Sequence, residues 1–172
     1  MKLIQDNGQP RYGRFDQIPS QINLDDYTYK TPYGDVLTGW RKQLKYKKFK
    51  FCGVQHAHYS IGVAIVDLSW AGHGFFYVYD HQSEKVVEWN AVQPFGLKTQ
   101  LDEQPLFSHS YFKKSGYQFE MQHANGVRYI QVTKNGDVLL KAHITCEGTD
   151  PLSMCSPTGI NGWTYTQKQT AL

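Results

Sequence analysis

Large and small side chains alternate along the middle of the chain. Between Tyr59 and Val66, the larger Tyr, Ile, Val and Ile alternate with Ser, Gly, Ala and Val. A period of two places successive residues on opposite faces of an extended strand. The stretch from Phe75 to Asp80 repeats the pattern, and the intervening Trp70–Gly74 is predicted to be the hairpin connection.

Two Asn-Gly pairs mark tight turns later in the chain. Asn125-Gly126 and Asn135-Gly136 separate three apolar runs, Tyr117–His123, Val127–Thr133 and Val138–Ile144. Both central residues of such a hairpin turn need positive φ, which Asn and Gly adopt most readily. The sequence therefore predicts three consecutive antiparallel strands.

Strand-like segments continue from Val36 onward, and their spacing predicts about eight to ten strands. A meander of this length must close or form a sandwich to remove its edges. We therefore predict an all-β, antiparallel up-and-down barrel over residues 35–172, shaped as an open-ended cup, and no substantial helix. Residues 1–34 contain repeated Pro and Gly and are predicted to be an irregular lead-in packed on the barrel.

The composition favours a pocket more than it favours a charged partner. Aromatic residues make up 15% of the chain, with 12 Tyr, 9 Phe and 4 Trp, and the formal net charge is only +3. One dense run of basic residues is interpreted as the protected edge of a sheet rather than as a nucleic-acid or membrane surface. This run comprises Arg41, Lys42, Lys45, Lys47, Lys48 and Lys50.

The cysteines and the N-terminal residues do not point to a particular function. Cys52, Cys146 and Cys155 are odd in number and lack metal-ligand spacing, so we expect reduced, mostly buried thiols. Residues 1–10 show no signal peptide, and no apolar run is long enough to span a membrane. The expected location is the cytoplasm.

Few residues suggest metal or cofactor chemistry. His56 and His58 are two positions apart and would share one face of a strand, but a third ligand is not evident. We therefore predict no metal. The chain also has no phosphate-binding glycine motif, so no nucleotide cofactor is expected.

Two carboxylates at predicted strand ends are candidate acids. A carboxyl among apolar neighbours has a raised pKa, so Asp67 could protonate a substrate double bond or leaving group. Asp80 ends the next aromatic strand. The alternative is that each carboxylate caps a turn, which strand-terminal Asp often does.

Aromatic side chains from several predicted strands could line a cavity for a flat or elongated apolar molecule. They could equally fill the core, although a buried Tyr needs a partner for its hydroxyl. The predicted ligand-binding residues are Trp40, Tyr59, Tyr77, Tyr79, Trp89 and Trp163.

Short motifs in order along the chain resemble a known family. They are Gly13-Arg14-Phe15, Pro19, Ile22-Asn23, Asp25-Asp26, Trp40-Arg41-Lys42, Ile65-Val66-Asp67, Tyr77-Val78-Tyr79-Asp80, and Asn161-Gly162-Trp163-Thr164-Tyr165 with Lys168. Together they resemble an uncharacterised bacterial family, domain of unknown function 2804. Members of that family are longer, so the resemblance implies that this chain corresponds to their first half, with a further β-rich half as partner.

A more distant similarity connects that family to the lipocalin-like carotenoid hydratases and tocopherol cyclases. It implies a calycin-type barrel that holds an isoprenoid or other lipid-like molecule. The first hypothesis is therefore a binding domain for a hydrophobic small molecule. The second is a cofactor-independent lyase or isomerase with Asp67 as general acid, and the third is a carbohydrate-binding β-sandwich.

Overall fold

Strands dominate the computed structural model, which describes residues 1–146 and 149–171. A short 3-10 helix (Leu24–Asp26) and one α-helix, α1, accompany them. The elements are β1 (Gly13–Phe15), α1 (Gly39–Gln43), β2 (Lys48–Gln55), β3 (Tyr59–Asp67), β4 (Ala71–Asp80), β5 (Lys85–Pro94), β6 (Thr99–Gln100), β7 (Ser108–Lys114), β8 (Tyr117–Ala124), β9 (Val127–Lys134), β10 (Asp137–Thr145), β11 (Leu152–Thr158) and β12 (Gly162–Lys168).

The chain is all-β with antiparallel sheets, as predicted. Strands β2 to β5 form one sheet in sequence order, β6 to β10 form a second, and β1, β11 and β12 form a third. The Asn-Gly turns are confirmed, with φ of 51° and 74° at Asn125 and Gly126 and of 52° and 91° at Asn135 and Gly136. Within the described residues no ladder joins the sheets. The closed barrel therefore stays a prediction.

The sheets β2–β5 and β6–β10 pack face to face with crossed strands. Strand β7 runs across the first sheet, from β2, where Lys50 contacts Ser108, to β5, where Lys114 donates to the carbonyl of Val92. Nine buried apolar side chains fill the space between them. They are Val63, Ile65, Phe76, Leu101, Phe112, Phe119, Met121, Ile130 and Val132.

A second core lies under the N-terminal segment. Leu3, Ile4 and Tyr27 pack there with Cys155 of β11. The segment is less irregular than predicted, because Gly13–Phe15 pairs with β11. All three cysteines are free, which agrees with the expected reduced thiols.

Three local predictions need correction. The first long strand begins at Lys48, because the five-residue α1 occupies the region where a strand was expected from Val36. Residues Ala71–Gly74 belong to β4, so the hairpin turn is shorter than Trp70–Gly74. Eleven described strands, not eight to ten, lie between Val36 and Lys168. No helix among the described residues has the length and apolar character needed to cross a membrane.

Candidate functional site

Lys50 points between the two packed sheets. It lies in β2 in register with the fully buried Ile65 of β3, on the inner face. Its Nζ donates to the Oγ of Ser108 at 2.8 Å and of Ser110 at 3.0 Å, both on β7 of the facing sheet. Alternation along β7 places these two serines on its inner face, and both are buried. The amine is therefore held at the polar end of an otherwise apolar interface.

The next two strands of the same sheet, β8 and β9, add two more basic groups to the same end. Ser108 pairs with His123 of β8, and His123 pairs with Arg128 of β9, so the three side chains form a row across the inner face. His123 is buried, and its Nδ1 lies 3.0 Å from the carbonyl oxygen of Pro105. A carbonyl only accepts, so this nitrogen carries the hydrogen and Nε2 keeps its lone pair.

Burial and mutual repulsion shape the charges in this cluster. Burial, with a smaller contribution from Arg128, lowers the pKa of Lys50 to about 8, while Asp102 opposes the shift. Burial also lowers the pKa of His123, and the nearby charges of Arg128 and Lys50 act in the same direction. Three ion pairs occur within the described part of the chain, and none includes Lys50 or Arg128.

We call Lys50, His123 and Arg128, with Ser108 and Ser110, the basic cluster. It borders a cavity of about 20 Å³, which also touches apolar side chains such as Met121. That volume has room for about one water molecule. Among the described residues no acidic side chain lies within ion-pair distance of Lys50 or Arg128, so a bound carboxylate could accept their hydrogen bonds and would be favoured in this half-buried setting.

An open apolar surface adjoins the basic cluster on the inner face of the first sheet. Four inner side chains, one from each strand, lie side by side across this sheet, beginning on β2 two residues after Cys52. The two at the ends of this row, Val54 and Val87, are 41% and 52% exposed. The complete row is Val54, Ile61, Val78 and Val87. On the facing sheet, β10 contributes the partly buried Leu140, Ala142 and Ile144. We call these seven residues the apolar rim.

A family model described as a domain of unknown function (DUF2804) matches residues 2–172. The chain belongs to this family. Searches of the curated proteins and of the solved structures find no match. The family description assigns no reaction, so the roles of the residues in this DUF2804 chain rest on their chemistry alone.

Three of the six aromatic residues predicted to bind a ligand lie on inward surfaces. Trp89 stacks on Phe76 at 4.9 Å between ring centroids, next to the main core. Trp163 meets Tyr27 edge-on at 5.5 Å, in the second core. Tyr59 lies at the end of the inner face of β3 and is 45% exposed.

The other three lie elsewhere. Tyr77 and Tyr79 are on the outer face of β4, because they alternate with the buried Phe76. Trp40 lies on α1 and is 72% exposed. The structure therefore does not bring the six residues together around one cavity, and their binding role stays a prediction.

Asp67 caps a turn in the DUF2804 fold. Its Oδ1 accepts a hydrogen bond from the backbone N–H of Ser69 at 2.7 Å. It also borders an open polar depression of about 210 Å³, lined by Gln43, Tyr46, Lys48, Asp67, Ser69, Phe95 and Gly96. A general acid of the predicted kind needs apolar neighbours, and the large apolar side chains that line this depression are those of Tyr46 and Phe95. The general-acid role of Asp67 stays a prediction.

The remaining candidates also lie at turns. Asp80 accepts backbone hydrogen bonds from Gln82 and Ser83, which lower the pKa of its carboxyl group. His56 and His58 lie in the connection between β2 and β3, with ring centroids 5.4 Å apart. No group of three metal-binding side chains was found among the residues that the structure describes.

The basic cluster was missed because the alternation in β2 was misleading. Phe49 and Phe51 alternate with Lys48, Lys50 and Cys52, and such a pattern would normally place the aromatic rings inside. In the structure Phe49 and Phe51 stack on the outer face, and Lys50 and Cys52 point inward. One signal was available in Cys52, which lies on the same face of β2 as Lys50. Free cysteines are usually buried, so Cys52 indicated that this face points inward.

Proposed function

We propose that this domain binds an amphipathic acid, a hydrophobic, lipid- or isoprenoid-like molecule that carries a carboxylate. The carboxylate lies at the basic cluster, and the hydrocarbon part covers the apolar rim. The observation that carries the proposal is the half-buried pair Lys50 and Arg128, which has no acidic partner within ion-pair distance among the described residues.

Electrostatics supports an anion at this place. The charge of Arg128 already lowers the pKa of Lys50, so the pair repels itself in the absence of a counter-charge. A bound carboxylate would relieve that repulsion and accept charge-assisted hydrogen bonds. Arg128 has a further contact, from its Nη2 to the Oε1 of Gln169 at 3.2 Å, which helps to orient its guanidinium group.

Exposed inner-face residues support a hydrophobic tail. Val54 and Val87 are about half exposed, although their strand neighbours Cys52 and Trp89 pack against the core. Each methylene group removed from water there contributes about 0.8 kcal/mol. Because the space between the sheets is filled, the proposed tail lies on this open surface and not within a closed cavity.

The proposal includes two finer features of the predicted architecture. The continuous meander from β2 to β10, folded as two crossed sheets, supports a calycin-type barrel that is open between β2 and β10. The resemblance supports a further β-rich half as a partner. No nucleic acid and no cofactor enter the proposed function.

Calorimetric titration of the purified chain with decanoate, and separately with decanol, tests the proposal. We expect decanoate to bind at least about tenfold more tightly, a difference of about 1.4 kcal/mol. Arg128→Met should remove this preference, whereas the control Arg41→Met, on the exposed surface of α1, should keep it. Equal affinities for the acid and the alcohol, or no binding of fatty acids from eight to sixteen carbons, would overturn the proposal.

The contacts in the structure support neither of the two alternative functions, carbohydrate binding and isomerisation. A carbohydrate platform would align exposed rings on one flat sheet face, but the exposed Trp40 and Trp70 lie on α1 and in the turn before β4. The isomerase hypothesis needs Asp67 next to an apolar substrate, and Asp67 borders a largely polar depression. Both stay predictions from the sequence.

A further inference from the structure

We infer that Lys50 forms a reversible imine with oxo acids, amphipathic acids that also carry an aldehyde or ketone, at the basic cluster. The inference rests on the proposed function, because it assigns the carboxylate to Arg128 and the carbonyl carbon to the Nζ of Lys50. It extends that function from non-covalent binding to covalent capture.

The geometry presents the amine in a defined direction. Two serine hydroxyls at 2.8 and 3.0 Å hold Nζ on the inner face, at the border of the cavity. Both contacts are with neutral groups, and a neutral amine can keep one while its lone pair faces the cavity. A carboxylate contact would instead fix the amine in its protonated form, and no such contact exists among the described residues.

Electrostatics supplies the reactive form. With a pKa of about 8, a substantial fraction of Lys50 is neutral near pH 7.5. An ordinary lysine with a pKa of about 10.4 would be neutral in only about 0.1% of molecules at that pH. Desolvation and a neighbouring cation are the two usual ways in which proteins activate a lysine for imine formation.

The reaction needs no redox partner. The lone pair of Nζ attacks the carbonyl carbon, the C=O π pair moves to oxygen, and a proton passes from nitrogen to that oxygen to give a carbinolamine. The carbinolamine then loses water, as a C=N bond forms and the C–O bond breaks. The water carries away the oxygen with two hydrogens, and hydrolysis of the imine reverses each step.

Neighbouring side chains can assist the proton transfers. Ser108 and Ser110 accept from Nζ in the free protein and can turn to donate to the carbinolamine oxygen. His123, whose Nε2 keeps its lone pair, can take up a proton and return it. Among the described residues, Asp102 raises the pKa of the Lys50 amine from outside ion-pair distance.

Reductive trapping with 2-oxodecanoate tests the inference, because its ketone carbon is bonded to the carboxylate and both groups can reach the basic cluster while the tail covers the apolar rim. Sodium cyanoborohydride reduces an imine to a stable secondary amine, which peptide mass spectrometry assigns to one lysine. At limiting probe and pH 7.5 we expect the adduct on Lys50 at least tenfold above that on the exposed Lys141. Half of Lys50 is neutral at pH 8 and about nine-tenths at pH 9, so imine formation at Lys50 should rise through this range and level off above about pH 9. Equal labelling of Lys50 and Lys141 would overturn the inference.

Variants and matched probes separate this result from that of the proposed function. Arg128→Met should lower trapping of 2-oxodecanoate at least tenfold while trapping of 2-decanone, which lacks the carboxylate, changes less, and Lys50→Arg should abolish selective labelling by both. If decanoate binds but Lys50 gives no selective adduct, the inference fails and the proposed function stands. If Lys50 reacts equally with 2-decanone and 2-oxodecanoate, the imine chemistry stands but the assignment of the acid to Arg128 is overturned.

Discussion

The Nζ of Lys50 lies 2.8 Å from the Oγ of Ser108, so a basic side chain of β2, the edge strand of one sheet, contacts a hydroxyl group of the facing sheet. The contact joins β2 to β7 across 58 residues of sequence. It places an amine where a packed β-sheet interface would normally hold another aliphatic side chain. The cost of desolvating that amine is expressed in its lowered pKa.

Lys50→Met should change how stability depends on pH. The pKa of Lys50 is about 8 in the folded chain and about 10.4 when unfolded. Between these two pH values the unfolded chain binds more protons than the folded chain. The free energy of unfolding of the wild type therefore increases as pH rises, by up to about 3 kcal/mol. The variant lacks this gain, so its stability relative to wild type should be greatest near pH 7 and fall toward pH 10.

Urea unfolding of wild type and Lys50→Met at pH 7, 8, 9 and 10 measures this difference. Lys141→Met is the control, because Lys141 is exposed on β10. A constant offset between wild type and Lys50→Met over the whole range would show that Lys50 is not desolvated in the folded chain. Loss of the contacts to the serines adds a cost that does not vary with pH in this range.

Gly74→Ala should destabilise the packing between the sheets. A Cβ at this position would lie 2.6 Å from Cδ1 of Phe112 and 2.8 Å from Cδ2 of Phe119, and both rings are fully buried. Overpacking of this kind costs about 1–3 kcal/mol. Chemical denaturation should show this loss, whereas Gly53→Ala, whose Cβ would meet the exposed ring of Phe51 at 3.1 Å and the carbonyl oxygen of Ile61 at an ordinary 3.7 Å, should stay within about 0.5 kcal/mol. Equal losses in the two variants would contradict the close approach at Gly74.

Asn23→Ala should loosen the N-terminal segment. The buried Asn23 accepts from the N–H of Ile4 at 3.0 Å and donates to the carbonyl of Ile4 at 3.1 Å. Its removal leaves two buried backbone groups without these partners, at about 1–3 kcal/mol each before rearrangement. We expect faster proteolysis within residues 1–30 and a lower denaturation midpoint. Asn90→Ala, which loses one exposed contact with Glu88, is the matched control and should match wild type.

Two substitutions at Asp67 separate a turn-capping role from an acid role. Asp67→Asn keeps an oxygen that can accept from the N–H of Ser69, so the free energy of unfolding should change by less than about 0.5 kcal/mol. Asp67→Ala removes the acceptor and should cost about 1 kcal/mol. Thermal unfolding measures both. If Asp67→Asn is as destabilised as Asp67→Ala, the charge of the carboxylate, and not its hydrogen bond, holds the turn.

Local signals predicted the local structure well. The turns at Asn125-Gly126 and Asn135-Gly136 follow from the positive φ that these residues adopt at little cost. The alternation over Tyr59–Val66 gave β3, whose observed bounds differ from that stretch by one residue. The predicted strand after Val36 failed because Gly39, at φ 57°, begins a short helix and not a strand.

The candidate site depended on contacts that no local pattern carries. Alternation along β2 shows that Lys50 and Cys52 share one face and that Phe49 and Phe51 share the other, but it does not show which face is covered. The cover over Lys50 comes from β7, β8 and β9, where Ser108, His123 and Arg128 stand in register across three strands.

The sequence by itself determined the class of this protein, an antiparallel meander, because hydrogen-bonded turns and a period of two are properties of neighbouring residues. Only the tertiary structure decided which face of β2 lies inside. The serine hydroxyls of β7 accept from Lys50 and make its burial tolerable, while Phe49 and Phe51 stack on each other in solvent. A desolvated amine needs partners supplied by a distant strand, and that requirement is met only once the two sheets have packed together.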